Sequence, residues 1–156
     1  MKKMCIRDRV NTMMTSIFVI GIAMVMWILF GYSLAFGNDH LGIIGDLSFL
    51  GLSKVGTTPG NYASTISDLG FAAFQMMFAI ITPALITGAV AGRMKFKALF
   101  IFIIVWSTIV YYPMAHMVWG LGGFLAEIGS VDFAGGNVVH ISSGVSALVL
   151  LSLIHI

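Results

Sequence analysis

Four apolar stretches, each about as long as a bilayer core is thick, constrain this chain more than any other feature. A ~30 Å hydrocarbon core takes ~20 helical residues to cross, and runs of that length stand at about 12–36, 69–91, 98–120 and 133–150. Only 9% of the 156 residues are charged and 59% are hydrophobic, against roughly a quarter charged in soluble domains. Lipid offers a backbone no hydrogen-bond partner, so the runs must be helices, and none alternates with the period of a barrel strand. The expected fold is an all-α polytopic membrane protein with four transmembrane helices.

The charges lie between or beside these runs, and the basic ones are unevenly shared. Lys2, Lys3, Arg7 and Arg9 precede the first run, and Arg93, Lys95 and Lys97 fill the short turn between the second and third. That end is expected to be cytoplasmic. Lys54, Asp39, Asp46 and Asp68 in one loop, with Glu127 and Asp132 in another, mark the exterior. A net charge of +2 is then a signature of topology and calls for no nucleic acid or acidic soluble partner. No secretory leader is expected, because the first apolar run exceeds the ~7–15 residues of such a segment, and no small-residue cleavage pattern precedes Gly31.

The two ends of the sequence carry a separate signal. MCIRDR, Met4 to Arg9, and LSLIHI, Leu151 to Ile156, can be encoded by DNA stretches that are reverse complements, and they resemble a translated sequencing-library transposon end. Natural sequence is therefore expected over 10–150, with 4–9 and 151–156 as adapter. Cys5 and His155 then carry no function, and with Cys5 set aside no cysteine remains for disulfide or thiol chemistry.

Ionisable residues inside such a chain need a reason. The segment DFAGGNVVHIS, Asp132 to Ser142, puts a carboxylate, two glycines and a histidine at the mouth of the fourth run. Asp132 is placed to accept the unsatisfied amides of the first helical turn. His140, eight residues further on, lies ~12 Å down the axis at ~1.5 Å per residue. A charged side chain near the bilayer centre costs about 2.5–3.5 kcal/mol on insertion scales, so such groups face cavities and handle ions or protons. Gly135 and Gly136, like Gly88 and Gly92 in small-xxx-small spacing, would let neighbouring helices approach closely. Phe74 and Phe78, four residues apart, share one helical face; they are either two core phenylalanines or an aromatic constriction in a solute path. Trp119 is either an interfacial anchor or a π face offered to a cation. His116, near Pro113, is expected to hydrogen-bond a carbonyl that the proline frees, and is not assigned as a ligand.

Taken together, GYSLAFG, AAFQMMFA, GAVAGRMKF, FIIVWSTIVYYPMAHMVWG and VDFAGGNVVHI resemble the ammonium transporter family, the Amt, Mep and Rh group, and its Amt branch in particular. The resemblance runs over nearly all of Val10 to Leu150. It implies a partial domain at 10–150, similar to helices two to five of an eleven-helix inverted-repeat fold with one pore per protomer in a homotrimer of the cell membrane. By the same resemblance Trp119 and Phe78 form an outer ammonium site, Phe74 and Phe78 a stacked gate, and His140 a pore proton relay. Asp132 supports the outer site structurally, and a cytoplasmic regulatory protein is a further possible partner. One departure is Gly92, where many relatives carry glutamate before Arg93, which bears on the ion pairing of that turn.

The implied mechanism agrees with elementary electrostatics. A bare cation in an apolar lumen pays tens of kcal/mol, and neutral ammonia avoids most of that cost. Ammonium is thus expected to be recognised at the aromatic site and deprotonated, with ammonia conducted onward and the proton handled through His140. The chain is read as no enzyme, with no cofactor and no metal. Two alternatives stand beside transport: an ammonium sensor of the same family with a signalling domain elsewhere, and an intramembrane haem-binding electron carrier using His116 and His140.

Overall fold

The computed structural model describes residues 2–154, with side chains from Val10 onward; the Cys5 and His155 side chains fall outside the described residues. Four long apolar helical spans are present, as expected. The first runs through Lys2–Met26, a wide π-turn at Trp27–Gly31, and Tyr32–Phe36. The second, Asp68–Val90, is continuous through Pro83. The third comprises Phe96–Trp106, a π-turn at Ser107–Tyr111, and Tyr112–Trp119, and the fourth comprises a π-turn at Gly136–Ile141 and Ser142–Ile154. Pro113 does not break the third span. Proline lacks an N–H and its ring crowds the carbonyl four residues back, and the wide turn before it opens the backbone where that crowding would fall.

The spans pack by shape and by hydrogen bonds, because lipid tails are as apolar as leucine and give helices little hydrophobic reason to associate. The second span lies against both the first and the fourth, and the end of the first packs on the end of the third. Where they meet, Trp27, Tyr32, Phe36, Tyr111 and Tyr112 are buried together. The Trp27 and Tyr112 ring centroids are 6.0 Å apart and those of Phe36 and Phe71 5.2 Å, contacts worth about 0.5–1.5 kcal/mol each beyond burial. Trp27 Nε1 also donates to the Ala72 carbonyl at 3.0 Å, tying the first span to the second.

Close approach through glycine occurs at Gly31, where a Cβ would lie 2.6 Å from the Tyr112 ring, and not at the pair expected above. Gly88 faces open space among the described residues, and Gly92 ends its helix with φ +70°. The expectation of a close-packed Gly88/Gly92 face is thus corrected.

The loop between the first two spans is partly structured. A short antiparallel hairpin pairs Asp39–His40 with Ile44–Gly45, and an isolated antiparallel bridge joins Pro59 and Ser67. Asp46 gathers the segment: its carboxylate accepts from the Asn38 and Ser48 backbones and from both side chains. Partial burial pushes its pKa up, but these hydrogen bonds outweigh it and bring the group down to about 2. Tyr62 pins the loop across the bundle end, its hydroxyl donating to the Phe36 carbonyl and accepting from the Leu121 amide.

Candidate functional site

The loop end of the bundle holds a chain of aromatic rings. Phe74 and Phe78 come from the second span, whose first turn is capped by the Ser67 hydroxyl accepting from the Gly70 amide at 3.1 Å. Their helical spacing brings the rings edge-to-face, with centroids 5.2 Å apart and planes at 85°. Phe78 in turn meets Trp119 at 5.5 Å and 58°. Trp119 is held from behind, its Nε1 donating 2.9 Å to the Asp132 carbonyl. These three rings line a recess of about 550 Å³ together with Tyr62, Gln75 and Asp132. A half-buried Trp119 fixed by its indole nitrogen keeps its ring against Phe78.

Asp132 organises the bend of 133–135 that borders that recess. Its Oδ1 accepts from the Gly135 and Gly136 amides at 2.6 and 2.7 Å, and its Oδ2 from Asn137 and Val138 at 2.7 and 3.1 Å. Partial burial raises the carboxyl's pKa, and the four amides override it, so the group sits below the usual carboxylate range. This is the capping role expected from sequence. It also corrects the reading of Gly135 and Gly136 as helix-approach residues. Gly135 adopts φ +91°, a left-handed conformation that favours glycine, and a Cβ there would lie 2.6 Å from the Val139 side chain. The turn so formed starts the helix at Gly136, three residues later than the expected 133.

His140 lies in the opening π-turn of the fourth span. Its backbone amide and that of Val139 both donate to the Gly135 carbonyl, at 2.9 Å each. Its imidazole is exposed and makes no hydrogen bond among the described residues. His140 lines a second recess of about 390 Å³ that shares Val131, Asp132, Phe133 and Ala134 with the aromatic one. Trp119, Phe78, Phe74 and Asp132 are therefore brought together, and His140 stands next door across one shared segment.

His116 has a different partner from the one expected. Instead of a carbonyl freed by Pro113, its Nδ1 bonds the Ala35 carbonyl at 3.0 Å and its Nε2 the Asp39 carboxylate at 2.9 Å. The carbonyl only accepts, so Nδ1 carries a hydrogen. The ring is fully buried, whereas Asp39 is one-third exposed. The hydrogen bond from His116 is the largest influence on Asp39 and holds its carboxyl below the ordinary range. With both ring nitrogens engaged, His116 offers no free lone pair to a haem iron, which removes the electron-carrier alternative. The pair latches the first span, the hairpin and the third span together.

Gln75 is the residue that spacing rules passed over. It sits between the two phenylalanines in sequence, is 8% exposed, and lines the aromatic recess. Its Oε1 is buried without a hydrogen-bond partner, a condition costing about 1–3 kcal/mol in general. The available signal was a lone carboxamide in a 23-residue helix whose other polar side chains are Asp68, Thr82 and Thr87.

Residues 3–155 match the family model described as Ammonium Transporter Family. The chain belongs to the ammonium transporter family. It is 51% identical over 144 residues to an ammonium transporter of Bacillus subtilis strain 168, an alignment covering 92% of this chain and 35% of the relative. Its structure resembles the crystal structure of Saccharomyces cerevisiae Mep2 with TM-score 0.82 and 38% identity, covering 88% of this chain and 32% of that one. A protein described as a sensor Amt protein is similar with TM-score 0.77 and 27% identity, over 86% of this chain and 33% of its own. The chain thus spans about a third of the length of the relatives it matches.

Gly92 has a plain structural role at the end of the second span. The left-handed Gly92 turns the chain out of the second span, and Arg93 donates from Nη1 to the Ala89 carbonyl at 3.4 Å. Arg93 thereby serves one of the helix's unsatisfied terminal carbonyls and lies favourably at the negative end of its dipole.

Proposed function

We propose that the protein carries ammonium across the cell membrane, capturing it at Trp119 and Phe78 and passing ammonia beyond Phe74 and Phe78. The observation that carries the reading is the Phe74–Phe78–Trp119 ring chain, fixed from behind by the Asp132 carbonyl around one recess. The loop end faces outward and the Arg93–Lys97 turn faces the cytoplasm, in keeping with the clustering of basic residues there.

The energies decide the order of events. A cation over an aromatic face gains about 0.5–2 kcal/mol, far less than the tens of kcal/mol lost on entering an apolar lumen. The rings can therefore select and concentrate ammonium but cannot take it through. Loss of a proton at the outer site removes the charge, and ammonia continues. His140, in the adjoining recess, has an unengaged imidazole ring suited to relay that proton.

Currents evoked by ammonium pulses on proteoliposomes of the full-length protein test this. Saturable currents that shrink or change selectivity in His140→Val, and whose half-saturation rises in Trp119→Leu, are expected. A full-length protein that neither carries nor binds ammonium or methylammonium defeats the reading. The likeness to a sensor Amt protein favours one second reading: binding at the same rings without flux would identify a sensor.

A further inference from the structure

We propose that the basic end of the bundle holds an anionic phospholipid, with its phosphate at Lys95 and one acyl chain in a groove between the first and third spans. Two recesses meet there. The first, of about 240 Å³, lies where the start of the first span meets the turn after the second, and its lining includes Asn11, Thr15, Thr87 and Lys95. Lys95 is the one charged residue lining it among the described residues, and no carboxylate opposes it there. The second recess, of about 480 Å³, is an apolar groove that follows the first span from Ile17 to Met26 and is bounded on its other side by Phe100 and Ile104 of the third. Phe96 lines the first recess and Phe18 the second, and their rings meet edge-to-face with centroids 5.3 Å apart. The two recesses therefore adjoin, the polar one beside the basic turn and the apolar one deeper along the same pair of helices.

This order and these dimensions match one leaflet of lipid. From Ile17 to Met26 the helix advances ~14 Å at ~1.5 Å per residue, close to half of a ~30 Å hydrocarbon core. Lipid tails are as apolar as the groove, so the tail contributes shape and little free energy. Selectivity then falls to the headgroup, where one lysine beside an anionic phosphate at a membrane surface is worth about a fivefold preference. Arg93 and Lys97 flank Lys95 in sequence and add to the same positive field. A zwitterionic lipid fills the groove equally well and gains little from these charges. Gly21 keeps the groove open: it lines the recess, and a Cβ built on it meets nothing within 4 Å. A larger side chain at this position takes the space of the acyl chain without displacing a neighbour.

Titration of the detergent-solubilised full-length protein with dioleoyl phosphatidylglycerol or dioleoyl phosphatidylcholine, with bound lipids counted by native mass spectrometry, tests the site. The tightest phosphatidylglycerol is expected to bind at a lower concentration than phosphatidylcholine. Lys95→Gln should weaken that phosphatidylglycerol about fivefold and leave phosphatidylcholine unchanged, whereas Gly21→Leu should weaken both. Lipid held elsewhere on the protein responds to neither substitution. Lys95 is exposed and leucine suits a helix, so both variants are expected to assemble. Equal affinity for the two lipids, or phosphatidylglycerol binding unaltered in Lys95→Gln, overturns the proposal. Binding that responds to Lys95→Gln but not to Gly21→Leu, and that inorganic phosphate displaces, overturns the lipid in favour of a small-anion site.

Discussion

Removing the Asp132 carboxylate is the most revealing perturbation, because one side chain organises a turn and one main-chain oxygen of the same residue holds Trp119. In Asp132→Ala the amides of Gly135, Gly136, Asn137 and Val138 lose their acceptor together. Gly136 is exposed and turns to water at little cost, whereas Gly135 and Val138 are buried and cannot. A single lost N-cap costs about 0.5–2 kcal/mol, and a buried unsatisfied amide about 1–3 kcal/mol. With two buried amides affected and some relaxation of the turn, the expected destabilisation is about 2–4 kcal/mol. The same loosening frees the Asp132 carbonyl from Trp119 Nε1, so the ammonium half-saturation rises as well. Thermal unfolding of the purified full-length protein, with transport currents on the same preparation, measures both effects. Asp132→Asn keeps one acceptor oxygen and is expected to fall between the two. An alanine variant with unaltered unfolding midpoint and unaltered half-saturation would refute the capping argument.

Trp119→Phe keeps a π face but loses the bond to the Asp132 carbonyl, and a several-fold rise in half-saturation is expected; transport currents read it, and Trp119→Leu should be worse. Gly135→Ala forces a Cβ into left-handed backbone and against Val139, and about 1–2 kcal/mol of stability should be lost, measurable by thermal unfolding. Replacing His116 with leucine strands both the Ala35 carbonyl and the Asp39 carboxylate; the unfolding midpoint should drop clearly, and Asp39→Asn should have a smaller effect. Asp39, Asp46 and Asp132 all have folded-state values depressed below 3.8. Between the two values the unfolded chain binds more protons, so their stabilisation is complete above pH 3.8 and fades as pH falls toward about 2, the value of Asp46. Unfolding midpoints across that range should decline, and Asp46→Asn should flatten the decline.

The four spans were legible because length and hydropathy alone decide whether a helix can cross lipid. The Phe74 and Phe78 contact was legible too, since spacing on one helix fixes which side chains meet. The Asp132 cap followed from its place ahead of an apolar run. The His116–Asp39 latch was not legible: the residues stand 77 apart, and no spacing rule brings a hairpin aspartate to a buried ring in the third span. Glycine was ambiguous for a related reason. The same residue type serves helix contact at Gly31 and left-handed backbone at Gly92 and Gly135, and composition cannot separate the two uses. Gln75 escaped attention because its significance lies in an unmet bond, which only coordinates reveal.

The wide turns at Trp27–Gly31, Ser107–Tyr111 and Gly136–Ile141 carry a geometric corollary. Each accommodates one residue more than a regular turn, and a residue in an α-helix is worth about 100° of rotation and ~1.5 Å of advance. Deleting a single residue from Ser107–Tyr111 would restore regular winding yet swing everything beyond it through more than a quarter circle, carrying the Trp119 indole off Phe78. The turns at Trp27–Gly31 and Ser107–Tyr111 therefore set the angular phase between the two halves of their spans, much as a vernier offsets one scale against another. The half nearer Arg93–Lys97 can face lipid along one stripe while the half nearer the hairpin points its aromatic groups along another.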